Sequence, residues 1–362
     1  MDERVGFALF FAIFILIYYF LNYFVVSQYF KLFSIPKNFW FYILVISMTL
    51  SYIVAAGLEA YSNNIFFKVI YAGASVWMGM LFLSFCVLMI YLLINKFTPI
   101  TNWMTGIVVL MAVVVLTVYG ILNAYNIHPT NINVYNDKGI NLKVVQISDL
   151  HLGPINGEKY LKKVVRKVNH LNPDVVLITG DLLDGRYYYN ESIFKPLDDI
   201  NATTYTISGN HDYYAGIDRF ERFLKNTKVK WLRNGVVKYE GIYILGLDDS
   251  SDRKNVEVML RAINDDIDLS AKFTILMNHR PIGWESASTY VDMMISGHTH
   301  AGQIWPFSYL AWLDSHVIKG VYRMPENNHF MLYVSPGTGT WGPPMRIGSR
   351  TEITVYNIKS SI

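Results

Sequence analysis

Cysteine is nearly missing from this sequence: of 362 residues only Cys86 is one, and it lies inside an apolar run. No disulfide can form within the chain, and no thiolate metal site can be assembled. Charge is scarce in the first third. Up to Asn126 there are five basic residues (Arg4, Lys31, Lys37, Lys68, Lys96) and three acidic ones (Asp2, Glu3, Glu59). Histidine is absent from that stretch, since all nine lie beyond it. What remains after residue 126 carries 26 basic against 25 acidic residues. That balance lacks the basic surface nucleic acid requires, so no nucleic-acid partner is expected. Internal repeats and low-complexity tracts are also absent.

What is abundant is apolar surface. Fifty-two per cent of residues are hydrophobic and 16% charged, against roughly a quarter charged in ordinary soluble domains. Crossing a bilayer takes about 20 apolar residues. Four stretches qualify, at 5–26, 39–58, 69–94 and 103–119. Breakers and charges separate them, as in Ser34-Ile35-Pro36-Lys37-Asn38 and Asn95-Lys96-Phe97-Thr98-Pro99. Aromatics gather at their ends (Tyr18, Tyr19, Trp40, Tyr61, Tyr71, Trp103, Tyr119), as they do at membrane interfaces. The first stretch is too long for a signal peptide, and no small-residue cleavage site follows it. An integral protein of the cell membrane is therefore expected.

Four spans put both ends of the region on one side. Lys31, Lys37 and Lys96 then oppose Arg4 and Lys68, a balance that leans towards an extracytoplasmic C-terminal domain. Lys68 is expected to snorkel at a helix start. The division expected is a four-span transmembrane region at 1–126, a linker at 127–141 and a second domain at 142–362. The segment 127–142 is polar, holds Pro129 and several Asn, and lacks helical periodicity, and it reads either as a linker or as an initial strand leading into the second domain. Nothing in the sequence sets the oligomeric state.

In the second domain short β-branched runs alternate with helical patterns. Strands are expected at 142–147, 175–179, 204–208, 242–247, 273–277, 293–296, 331–335 and 353–358, and helices at 159–170, 219–226 and 255–264. This alternation predicts a layered α/β domain. After successive strands come Ser148-Asp149-Leu150-His151, Gly180-Asp181-Leu182-Leu183-Asp184, Gly209-Asn210-His211-Asp212, Asn278-His279 and Gly297-His298-Thr299-His300. Ligands of α/β sheets collect at the carboxyl ends of strands, so five loops would aim carboxylates, imidazoles and one amide at one place. Pairs two residues apart, Asp149 with His151 and His298 with His300, can point the same way from an extended loop. Gly180, Gly209 and Gly297 are expected to let the backbone turn sharply.

Oxygen and imidazole ligands without sulfur suit Mn, Fe or Zn better than Ca or Mg. There are enough of them for two ions sharing one carboxylate, the recurring arrangement for displacement at phosphorus. An isolated Asp-x-His is more often a loop accident, and a lone His is more often structural. Five motifs in order, each after a strand, leave little room for that explanation.

At these residues the sequence resembles the calcineurin-like metallophosphoesterase superfamily, from about residue 142 onward. The run at 297–303 and the Pro-Gly-Thr-Gly…Met-Arg segment resemble its bacterial YkuE/YaeI-like branch and the animal transmembrane proteins with a metallophosphoesterase domain. The resemblance implies a two-sheet β-sandwich flanked by helices. It implies one metal on Asp149, His151, Asp181 and His300, and a second on Asp181, Asn210, His279 and His298, with Asp181 bridging. His211 would protonate the leaving oxygen or steady the phosphate, and Asp184 would orient it. Phosphoprotein phosphatases have Asp-Arg-Gly and Gly-Asn-His-Glu where this chain has Asp184-Gly185-Arg186 and Gly209-Asn210-His211-Asp212. A phosphoprotein substrate is therefore not expected.

Around the predicted site lie Tyr187, Tyr188, Tyr189, Tyr213, Tyr214, Trp305, Phe307, Tyr309, Trp312 and Trp341. Tyr213 and Trp305 are candidate substrate contacts. The apolar stretch 304–313 has two readings: a lip that meets the membrane and admits a lipid phosphoester, or packing in the core or against the chain's own spans. Arg346 and Arg350 are candidates for bidentate phosphate contact or for surface salt bridges. Two classes of function stand. One is a phosphoesterase acting on a phosphate ester or pyrophosphate, with a phospholipid or nucleotide-lipid as candidate substrate. The other is a membrane transporter or sensor whose extramembrane domain binds phosphate or metal. The His211–Asp184 pair favours the enzyme, because a binding module does not need it.

Overall fold

Four apolar runs form helices: α1 (Glu3–Leu32), α2 (Phe39–Tyr61), α3 (Ile65–Phe97) and α4 (Trp103–Tyr125). All four are long and apolar enough to cross a membrane. Asparagines set three of the starts. Asn38 Oδ1 accepts from Trp40 N at 3.0 Å, Asn64 Oδ1 from Phe66 N at 2.8 Å, and Asn102 Oδ1 from Thr105 N at 2.9 Å, satisfying N–H groups no helix can pair internally. This computed structural model describes residues 3–62, 64–100, 102–325, 327 and 329–361. The chain divides into two units, Met1–Leu122 with Gly342–Met345, and Asn123–Trp341 with Arg346–Ile362.

In the first unit Tyr18, Val25, Leu32, Leu81, Leu88 and Val109 form an inner cluster. Leu16, Ile17, Val54, Leu93, Val108 and Leu122 stay exposed, as hydrocarbon-facing side chains should. Trp77 Nε1 donates to Asn22 Oδ1 at 3.0 Å, pairing two polar groups between helices. Glu59 of α2 is fully buried, and neither of its carboxylate oxygens has a hydrogen bond.

The second unit opens with β1 (Ile127–Asn136), β2 (Leu142–Ile147), α5 (Glu158–His170), β3 (Val175–Thr179) and β4 (Thr203–Ile207). It continues with α6 (Asn210–Ala215), α7 (Ile217–Lys225), β5 (Lys230–Trp231), β6 (Gly235–Tyr239), β7 (Ile242–Gly246) and α8 (Arg253–Asp266). Then come β8 (Thr274–Met277), α9 (Trp284–Ala287), β9 (Met293–Ser296), α10 (Ser308–Ser315), β10 (Gly320–Arg323), β11 (Met331–Val334) and β12 (Thr351–Ser360). Short 3-10 helices lie at Glu191–Asp199, Leu269–Ala271 and His300–Gly302.

Two six-stranded sheets result, in the orders β1-β12-β2-β3-β4-β5 and β10-β11-β9-β8-β7-β6. Their inner strands, such as β3, β7, β8, β9 and β11, are buried on both faces, with side chains dividing by alternation. Val144, Val175 and Leu177 meet Ile244, Ile275, Met277 and Ile295 between the sheets. Val145, Val176 and Ile178 face outward onto Leu161 and Val164 of α5 and Phe220 of α7. Leu245, Leu276 and Met294 face outward onto Val256 and Leu260 of α8. This is the expected two-sheet sandwich flanked by helices. Gln146 stitches the sheets together: its Nε2 donates to Thr179 Oγ1 at 2.7 Å and to Ser296 O at 3.0 Å.

Of the two readings of residues 127–141, linker or initial strand, the structure takes the strand over most of their length. Residues 127–136 form β1, one residue after α4 ends, paired in parallel with β12. Pro129 is what kept the linker reading open. A proline is tolerated because β1 is an edge strand, where a missing N–H on the free side breaks no ladder. Only 137–141 is loop.

Candidate metal centre

β2, β3 and β4 run parallel in one sheet, and β7, β8, β9 and β11 run parallel in the other. Their carboxyl ends carry the five motifs. Asp149 and His151 follow β2, Asp181 and Asp184 follow β3, Asn210 and His211 open α6 after β4, His279 follows β8, and His298 and His300 follow β9.

The structure brings these side chains into three overlapping groups, Asp149–His151–His300, His151–Asp184–His211 and Asp181–His279–His298, each with ligand atoms within 4.8 Å of one another. Asp181 stands between them. Its Oδ2 is 3.6 Å from His151 Nε2 and 3.2 Å from His279 Nε2, which suits a shared carboxylate. His300 Nε2 is 3.0 Å from His151 Nε2 and 3.6 Å from Asp149 Oδ1. Asn210 Oδ1 is 3.2 Å from His279 Nε2.

Backbone strain marks the same residues. Asp149, His151, Asp181, His298 and His300 have φ of 53°, 45°, 51°, 70° and 50°, a left-handed region that non-glycine residues rarely enter. The neighbouring glycines serve different needs. Gly180 is itself left-handed, with φ 83°. Gly209 and Gly297 are not; a Cβ on Gly209 would collide with Asp181, and one on Gly297 with Ser148 and Asp149. Those two supply room for the ligands rather than a turn.

Fixed orientations support the cluster. Asp181 Oδ1 accepts from His211 N at 2.8 Å, and Asp149 Oδ1 accepts from His298 N at 2.9 Å. His279 Nδ1 lies 2.8 Å from Thr179 O, a donor contact that leaves Nε2 free to ligate. Burial opposes charge on both Asp181 and His279, yet each overcomes it through the other. Asp181 is held well below the usual carboxylate range by His279 and His211, and His279 is carried up to about 10 by Asp181 and Asp149. Burial, then His279 and Arg280, push His298 down to about 3. Burial outweighs the pull of Asp181 and lowers His211 as well.

The residues present fit two metal ions. His151 and His300 point ring nitrogens at each other with no carboxylate oxygen closer to either, and His151 Nδ1 has no hydrogen bond. Buried imidazoles, carboxylates and an amide oxygen converging this way are a nitrogen–oxygen donor set for borderline cations.

Asp184 does meet His211, but through its main chain rather than its carboxylate. Its carboxylate Oδ1 faces His151 Nδ1 at 3.4 Å, whereas His211 Nδ1 lies 2.5 Å from its backbone carbonyl. Arg346 departs from its expected part: it is fully buried, with its guanidinium turned onto backbone carbonyls, so it is not open to a substrate phosphate. Tyr213 and Trp305 are exposed, at 37% and 51%. The His211 ring is flanked edge-on by Tyr214 at 5.1 Å and Trp341 at 5.5 Å.

Sequence reasoning missed two residues. Asp212, fully buried, accepts from Leu183 N and Gly209 N at 2.8 Å each and ties the second motif loop to the third. Burial, then Asp181, pushes its carboxyl up to about 7. An acid three residues after Gly209 at a helix start was the available signal. Arg280 Nε donates to Asp249 Oδ1 at 2.9 Å, and its Nη1 lies 3.2 Å from His298 Nε2. It follows His279 directly, but its partner is distant in sequence.

Residues 142–302 match the calcineurin-like phosphoesterase family. An uncharacterized metallophosphoesterase of Aquifex aeolicus is 30% identical over 230 residues, covering 61% of this chain and 87% of that protein. The chain belongs to the calcineurin-like metallophosphoesterases. This family uses dinuclear metal sites, and the clustered Asp and His residues here are its candidate ligands. A transmembrane protein with metallophosphoesterase domain from Danio rerio is 35% identical over 282 residues, covering 70% of this chain and 63% of that one. An uncharacterized metallophosphoesterase of Campylobacter jejuni is 38% identical over 227 residues, covering 60% of this chain and 59% of that one. The chain thus spans about three fifths of the length of these last two calcineurin-like relatives.

Proposed function

We propose that this chain is a membrane-anchored phosphoesterase with two metal ions, hydrolysing a phosphate ester or pyrophosphate of a lipid. The observation that carries the hydrolytic part is the position of Asp181 between two ligand groups, with His211 beside both. Asp149, His151, Asp181 and His300 would hold one ion, and Asp181, Asn210, His279 and His298 the other, with Mn, Fe or Zn favoured by the donors. Such ions supply Lewis-acid charge to the phosphoryl oxygens and activate a water. His211 donates from Nδ1 to the Asp184 carbonyl, which turns Nε2 to the leaving oxygen; in the imidazolium form it gives its Nε2 proton to that oxygen and is left neutral. Asp184 steadies His151.

The lipid part rests on exposure. Trp305, Phe307, Tyr309, Leu310, Trp312 and Leu313 are about half exposed or more, and α10 buries no residue. They are therefore not core, and exposed aromatics of this kind suit a membrane boundary. The stretch is tied to the centre: Gln303 Nε2 donates to Trp341 O, and Trp341 N donates to Gln303 Oε1, both at 3.0 Å. Trp341 in turn flanks His211. Lys31, Lys37 and Lys96 favour an extracytoplasmic catalytic domain. Tagging the C-terminus and probing intact cells with protease tests the side.

Among the described residues Glu59, under the influence of Lys68, is what favours the transporter or sensor reading, as a buried carboxyl without a hydrogen bond in a spanning helix. A single carboxyl without a second one near it is not a relay. The test of function is a metal-dependent screen of the detergent-solubilised protein against phospholipids, nucleotide-lipid pyrophosphates and soluble aryl phosphodiesters. Turnover of a long-chain lipid above the soluble diester is expected. No hydrolysis of any of them with Mn, Fe or Zn present, together with phosphate binding, overturns the enzyme reading.

A further inference from the structure

Arg346 is a buried cation that forms no direct ion pair among the described residues, although the Asp149 and Glu352 carboxylates lie near enough to act on its charge. Its side chain is fully enclosed, and its hydrogen bonds run to main-chain carbonyls, one hydroxyl and, at 3.5 Å from Nη2, the Nδ1 of His300. Nη1 donates to His300 O at 3.1 Å and to Ser349 Oγ at 3.2 Å. Nη2 donates to Pro336 O at 2.6 Å and to Gly339 O at 2.7 Å. Nε has no partner. Enclosing an ion without a directly paired counter-ion is costly, so a surface arginine has no physical reason to sit here.

The places it joins supply a reason. One end of the fork holds the backbone of His300. The other holds the 336–339 loop, which lies against the first motif: Thr338 N donates to Ser148 O at 2.7 Å, and Gly339 N donates to Asp149 O at 2.9 Å. Arg346 therefore spans the segments carrying Asp149 and His300, two ligands of one metal. It makes no hydrogen bond to Asn210, His279 or His298, the unshared ligands of the other.

The backbone of Arg346 is itself pinned. Asn123, in the last turn of α4, spends both amide hydrogens on it and its neighbour, with Nδ2 donating to Arg346 O at 3.0 Å and to Ser349 O at 2.9 Å. Thr351 Oγ1 donates to Ala124 O at 2.6 Å in the same turn. Further along, Ile347 N donates to Gln303 O at 3.0 Å and Trp305 N to Ile347 O at 2.8 Å, so 346–349 is paired with the chain just after His300.

We propose that Arg346 is a positioning residue for one ion of the pair, setting the Asp149–His300 side, and that Asn123 from the last turn of α4 positions Arg346. This rests on the dinuclear reading of the site. Supporting groups behind metal ligands are typically worth about 10–100-fold in metal affinity.

The test is stepwise titration of chelated, detergent-solubilised full-length protein with Mn²⁺ or Zn²⁺, followed by calorimetry. Two binding steps in the unaltered protein establish the dinuclear reading, and a single step or none overturns that reading and this one together. With two steps in hand, Arg346→Lys is expected to weaken one step about 10–100-fold and leave the other unaltered. Asn123→Ala is expected to weaken the same step less. Melting temperature of each metal-free variant separates positioning from general loss of structure. Where Arg346→Lys does not fold, Asn123→Ala decides. Both steps weakening together, or neither step moving in Asn123→Ala and Arg346→Lys, overturns the positioning role while the dinuclear centre stands.

Discussion

His211 is held by the main chain of Asp184: its Nδ1 lies 2.5 Å from the Asp184 carbonyl oxygen, while the Asp184 carboxylate faces His151 Nδ1 at 3.4 Å. The two residues therefore separate on substitution. Asp184→Asn keeps the carbonyl that orients His211 and removes the charge facing His151. Weakened metal retention with an unaltered dependence of rate on leaving group is expected, read by metal analysis and a leaving-group series. A steepened leaving-group dependence at full metal content would place the carboxylate in proton transfer after all.

His211→Ala should behave in the opposite way. Metal content stays full, and the rate falls about 10²–10⁴-fold, the usual worth of a positioned proton donor. The fall should shrink for good leaving groups, which need less protonation. Equal loss across the series would assign His211 to steadying phosphate charge.

Asp181→Ala should cost both ions, because Asp181 Oδ2 is 3.6 Å from a nitrogen of one ligand group and 3.2 Å from a nitrogen of the other. Elemental analysis of the purified variant reads this directly. Two ions per chain retained would refute the bridge.

Much of this centre was legible because the strands leading to it are buried on both faces. Residues such as 175–179 read as unbroken apolar runs, and each run stops at a motif. β1 was legible only as one of two readings, linker or strand, since an edge strand holding Pro129 and exposed asparagines carries no such run. The role of Arg346 was hidden for another reason. A lone arginine in a polar loop reads as surface, and its enclosure comes from residues 300, 336, 339 and 349, which only the fold brings together. The Asp184 contacts were half legible, since a sequence names the residue but not which of its atoms faces a neighbour.

Removing metal should be visible in stability. An ion present at about 100 times its dissociation constant contributes about 2.7 kcal/mol. For a domain of this size that is roughly 5–10 °C in melting temperature per ion. Chelation should lower the melting temperature of the detergent-solubilised protein, and Mn or Zn should restore it. An unaltered melting temperature on chelation and reloading would count against a resident dinuclear centre.

The aromatic lip should matter for lipids alone. Trp305 and Trp312 are 51% and 48% exposed, so replacing both by Ala opens no cavity. Turnover of a long-chain lipid phosphoester should fall several-fold while a small soluble phosphodiester is hydrolysed almost normally. Equal losses on both, with a lower melting temperature, would make these side chains packing.

The insertion of β12 between β1 and β2 has a consequence for how the protein is made. β1 leaves the ribosome early, yet its pairing partner begins at Thr351, 215 residues after Asn136. At about 5–20 residues per second, synthesis of that interval takes roughly 10–40 s. Throughout it β1 carries unpaired backbone groups immediately after the last membrane helix, open to wrong partners. Release of a chain stopped before residue 351 should therefore yield a protein with its spans in place and an open sheet edge, prone to aggregate or to be degraded at the membrane.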